Sequence, residues 1–147
     1  MKLVGLVFVG FIAIIIVGLV LGIVIAKAFP HISGDDAYLW VPILIIMPAA
    51  FLVGSIVTGY FSYYELENKW VLLWMAPALY WNLLFMCGAG IQFLLDSFIS
   101  VNPRTTGFLY GILLPFLIGL YWYLASLAGV ILGYFLRGRI VRWWYGD

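Results

Sequence analysis

Charge is what this chain has least of: only 9% of its 147 residues are Asp, Glu, Lys or Arg, against 67% hydrophobic. Four stretches, 3–26, 37–64, 70–95 and 105–136, carry no charge at all. A water-soluble domain cannot be built at that composition. A net charge of +1 with scattered basic residues also excludes a nucleic-acid-binding surface. A single cysteine, Cys87, excludes an intramolecular disulfide and any cysteine-cluster metal site. The single histidine, His31, lies outside the apolar stretches, so no histidine is available to hold haem within the membrane, and no covalent haem or metal site is evident. General acid–base or nucleophilic catalysis needs titratable groups that converge, and the chain offers no such set.

What is present is hydrocarbon. Each uncharged stretch exceeds the roughly 20 apolar residues with which a helix crosses a bilayer core of about 30 Å. The expected fold is therefore an all-α integral membrane protein, a single domain spanning 1–147, with four transmembrane helices in an antiparallel up-down bundle. The expected spans are 3–27, 37–64, 70–97 and 103–136, followed by an interfacial segment over 137–147. The first stretch is too long for a signal-peptide core of about 7–15 residues, so it reads as a retained helix. Basic residues collect on the cytoplasmic side of membrane proteins. Four crossings put Lys2, Lys69, Arg137, Arg139 and Arg142 on one side and Lys27 and Arg104 on the other. Both termini are accordingly expected in the cytoplasm, of a prokaryotic plasma membrane.

The connections carry helix punctuation. Ser33 with Asp35 and Asp36, and Asn102 with Pro103, have the form of N-caps. Glu65 to Lys69 forms a tight hairpin that predicts the second and third spans as antiparallel neighbours. Asp96 faces Arg104 across the short outer turn, and a structural ion pair is expected there. Within the spans, small residues recur at the spacing that lets helix backbones approach. Gly18 and Gly22 mark the first helix, Gly54 the second, and Gly129 and Gly133 the fourth. Pro48, Pro77 and Pro115 fall well inside their spans and predict kinks.

The sharpest local signal is polar and aromatic side chains at mid-membrane depth: Tyr80, Trp81 and Asn82 in the third span, and Tyr121, Trp122 and Tyr123 in the fourth. An amide or phenol facing lipid tails loses a hydrogen bond, so the third and fourth helices are expected to meet at this layer. On the third helix Met75, Asn82, Ala89 and Asp96 recur every seven residues and share one side, read as its inward face. The layer has two readings. One is interhelical hydrogen bonding that fixes register; the other is a slot for a lipid tail, quinone or carotenoid. After the fourth span, Arg137, Arg139 and Arg142 with Trp143 and Trp144 have the chemistry of a lipid-interface anchor.

The function that fits is a non-catalytic membrane subunit. It would pack against other integral membrane subunits of a larger complex, stabilise it, and hold lipid or a hydrophobic cofactor. The alternative is a small channel or transporter working as a homo-oligomer, with Asn82 and Asp96 facing a shared pore. A membrane enzyme using His31 and Asp36 is a distant third. The length and four helices invite comparison with small multidrug transporters, but the membrane-buried glutamate of their first helix has no counterpart here.

Overall fold

The computed structural model describes residues 2–29, 40–64, 70–99 and 109–146, with the backbone alone at 2, 3, 93, 96–99, 109 and 110. Its described residues are nearly all helical. Helix α1 spans Lys2–Ala28. A π-helical turn, Pro42–Ile46, leads into α2, Met47–Ser62. A short α3, Val71–Met75, precedes α4, Pro77–Ile99. A second π turn, Leu109–Leu113, leads into α5, Leu114–Tyr145.

The prolines set the interruptions. Ala76, forced out of the helical region by the ring of Pro77, has φ −66° and ψ 111° and separates α3 from α4. Before Pro48, the Met47 N–H turns back to Pro42 O, five residues away, so the π turn arises one residue ahead of the ring that cannot donate. Pro115 stands in the same relation to the second π turn. At the other end, α5 runs unbroken through Arg137, Arg139 and Arg142 and stops only at Gly146. There φ is +69°, and the Gly146 N–H meets Arg142 O at 3.0 Å. The segment from 137 onward is thus a continuation of the membrane helix. With 32 residues, α5 is about 48 Å long, well beyond the hydrocarbon thickness.

Among the described residues, three helices are long and apolar enough to cross a membrane: Val4–Ala28, Pro42–Ser62 and Gly111–Tyr145. Helix α2 is the centre of the molecule, packed between α1 and α5, and α4 packs mainly on α5 while touching α1 and α2 lightly. Against α1 the contacts run in opposite directions, Gly10 meeting Thr58, Ile14 meeting Gly54 and Gly18 meeting Ala50. Against α5 they run in the same direction, from Phe51 on Trp122 through Ser55 on Ser126 to Gly59 on Val130. Helices α4 and α5 run oppositely, Ala78 lying at Ser126 and Asn82 at Gly119. The expected hairpin pairing of the second and third spans is therefore not the main contact of either, since α2 touches α3 and α4 only lightly. The glycine face of α2 fits the backbone of α5 more closely than anything α4 offers. Glu65 to Lys69 itself lies outside the described residues.

Glycine is used where backbones touch. A Cβ on Gly59 would collide with Val130 O, one on Gly129 with Leu52 O, one on Gly133 with Ile56 O, and one on Gly54 with the Ile14 backbone at 2.7–2.8 Å. Between these contacts lie two apolar clusters. One gathers Ile14, Ala50, Phe51, Ala78 and Trp122, the other Leu72, Met75, Ala76 and Val130. Gly18 only grazes Ala50, at 3.6 Å from its would-be Cβ, and Gly22 faces open space.

Candidate functional site

The layer that the sequence reading puts at mid-membrane depth is built where α5 crosses the proline interruptions of two other elements. Pro48 has no N–H, so Leu44 O loses its α-helical donor. Ile43 O loses its donor as well, because the Met47 N–H is drawn to Pro42 O. Pro77 likewise leaves Leu73 O without its donor. Three consecutive residues of α5 reach these three carbonyls. Tyr121 Oη donates to Leu44 O at 3.4 Å, Trp122 Nε1 to Ile43 O at 2.9 Å, and Tyr123 Oη to Leu73 O at 3.3 Å. In lipid there is no water to take up a freed carbonyl, so a neighbouring helix must do it. The indole of Trp122 is also stacked on Phe51, centroids 5.7 Å apart, which fixes the ring that donates.

The remaining polar groups of the interior are small. Ser55, Thr58, Ser62 and Ser126 are fully buried. Ser55 Oγ and Ser126 Oγ lie 2.7 Å apart, and the Ala78 N–H reaches Ser126 Oγ at 3.4 Å, tying α2, α4 and α5 at one point. Ser62 Oγ donates back to Gly59 O at 2.8 Å. Thr58 Oγ1, pressed against Gly10, has no hydrogen-bond partner among the described residues. Asn82 Nδ2 donates to Gly119 O, so the third and fourth expected spans do meet at this depth.

The six residues singled out from the sequence are thus distributed around the molecule. Asn82 and Trp122 border a cavity of about 100 Å³ with Ile43, Phe85 and Pro115. Tyr123 stands on the α3 side of α5 and Tyr121 on the α2 side, half exposed. Tyr80 and Trp81 point outward, and Tyr80 lines a separate groove between α1, α3 and α4. On successive helical positions about 100° apart, three side chains cannot share one slot. Met75 is buried and Ala89 half-buried, while the side chain of Asp96 and all of Arg104 lie outside the described residues. So do His31, Asp35, Asp36, Asn102 and Pro103.

One cluster was not anticipated. Arg137 lies over the rings of Tyr60 and Tyr64, 4.7 and 5.1 Å from their centroids. It donates to Tyr60 Oη and, at 3.3 Å, to Tyr64 Oη. Tyr63 and Tyr134 pack beside it with centroids 5.0 Å apart. The parallel pairing of α2 with α5 brings these groups together, and the sequence spacing of Tyr60, Tyr63 and Tyr64 was its only visible trace. Arg139, Arg142, Trp143 and Trp144 remain exposed at the end of α5. No protein-family model matches the chain, and no curated protein or solved structure matches it either.

Proposed function

We propose that this chain is a non-catalytic membrane subunit that packs against other integral membrane proteins and stabilises the complex they form. The observation that carries the proposal is the contrast between two sets of glycines. Gly54, Gly59, Gly129 and Gly133 are spent on contacts within the chain, whereas a Cβ on Gly22 of α1 or on Gly88 and Gly90 of α4 would meet nothing within 4 Å among the described residues. Glycine costs helix stability and offers lipid no packing surface, but it lets a foreign helix approach closely. Helix α1 adds to this, because only 11% of its most apolar stretch is buried, against 39% and 33% in the other two spans.

In this reading the chain crosses the membrane four times, with α4 as the further crossing. Two helices that run the same way, α2 and α5, must be joined by a segment that returns across the bilayer, and α4 runs against α5. Both termini then share a side, which the basic residues make the cytoplasmic side of a prokaryotic plasma membrane. Lipid or a hydrophobic cofactor occupies the spaces between helices. A homo-oligomeric channel is less well supported, since the Asn82 amide is turned to Gly119 O of its own chain and away from a shared pore.

Gentle extraction from the native membrane, followed by identification of what co-purifies, tests the proposal. Stoichiometric foreign subunits are expected, lost in Gly22→Leu or Gly88→Leu while the thermal stability of the isolated chain is kept. Self-association alone would overturn it.

A further inference from the structure

The ring of helices α1, α2, α5 and α4 is closed on three sides and parted on the fourth, where α1 touches α3 and α4 only lightly. The parting is a groove of about 490 Å³ along the first three turns of α1, lined by Val4, Val7, Phe8 and Phe11 and faced by Trp74 and Tyr80. The break at Ala76 separates α3 from α4 beside this groove, whose lining includes Met75. We infer that this groove holds one acyl chain of an anionic phospholipid, with the headgroup at the amino end of α1. The lining is almost wholly apolar, so the occupant is hydrocarbon. Because α1 still contacts both α3 and α4, a helix about 10 Å across cannot wedge between them, whereas an alkyl chain can. The volume is many times the roughly 30 Å³ of one water, so the groove has room for a length of hydrocarbon. The charge at that end is complementary, since α1 begins at Lys2 and basic residues at a membrane surface attract anionic headgroups. Trp70 and Trp74, 74% and 64% exposed, lie on the same side of the molecule, and indoles favour the headgroup level. The inference rests on the membrane part of the proposed function and not on any partner protein, so its failure would leave the subunit reading standing.

The test uses the full chain in phosphatidylcholine vesicles doped with increasing amounts of either phosphatidylglycerol or phosphatidylcholine bearing dibrominated chains. Quenching of Trp74 is read as the difference between the wild type and Trp74→Phe. Half-maximal quenching is expected at a several-fold lower fraction of the phosphatidylglycerol. Val7→Phe, which fills the groove, should abolish this preference, and Ile16→Phe, on an exposed face of α1 away from the groove, should not. Lys2→Gln leaves the groove intact and should lower the preference about five-fold, the worth of one basic residue near a charged surface. Equal quenching by both lipids, or a preference that survives Val7→Phe with unchanged helix content, would overturn the inference. So would a stable dimer of the wild-type chain in which the Val7→Phe variant is monomeric, because the occupant would then be a second copy.

Discussion

Thr58 and Asn82 are both polar residues set against neighbouring helices, yet they stand in opposite situations. Asn82 donates to Gly119 O, while Thr58 Oγ1 is buried with no partner among the described residues. A hydrogen bond between membrane helices contributes roughly 0.6–1.7 kcal/mol. An unpartnered buried hydroxyl contributes nothing and costs its desolvation. Asn82→Leu should therefore lower the thermal midpoint in detergent, and Thr58→Val, nearly the same shape, should leave it unchanged or raise it. A drop with Thr58→Val equal to that with Asn82→Leu would show that the hydroxyl has a partner after all. Trp122→Phe keeps most of the stacking on Phe51 but removes the donor to Ile43 O. A loss of about 1–2 kcal/mol is expected, larger than for Tyr121→Phe, whose bond is long and half exposed.

At the scale of elements, the prolines and the aromatic triplet form matched pairs. If Tyr123 serves the carbonyl that Pro77 frees, restoring an N–H by Pro77→Ala should make the phenol redundant. A double-mutant cycle with Tyr123→Phe should then show a coupling of about 0.5 kcal/mol or more, whereas Pro115→Ala with Tyr123→Phe should be additive. The close contacts of α2 with α5 give a second test. Gly59→Ala places a methyl on the Val130 carbonyl and should cost about 1–3 kcal/mol or more in unfolding experiments. Gly5→Ala, in open space, should be neutral. Much of this was legible beforehand: the apolar runs located the helices, the proline positions located their interruptions, and Asn82 marked the level where α4 and α5 meet. The pairing of α2 with α5 was not legible. Small residues line several helices, and their spacing says that a backbone approaches without saying whose. Nor could the sequence tell that consecutive residues Tyr121, Trp122 and Tyr123 serve carbonyls on different elements, because that depends on which helices flank α5. The expected pairing of Asp96 with Arg104 lies outside the described residues.

For the whole molecule, direction is the decisive property. Tags at the two ends should be accessible from the same face of sealed vesicles, and a tag in the 30–39 connection from the other. Ends on opposite faces would remove α4 as a crossing and with it the four-helix reading. The parallel pairing of α2 with α5 also bears on how the protein is made. Helices α1 and α2 leave the ribosome as a ready hairpin, but the surface that fits Ser55 and Gly59 is synthesised only some 70 residues later. During that interval the seam of α2 borders lipid or whatever insertion factor shields it, and contacts so distant along the chain form late. Nascent chains arrested before Gly129 should therefore be degraded faster in the cell than chains arrested after Tyr145.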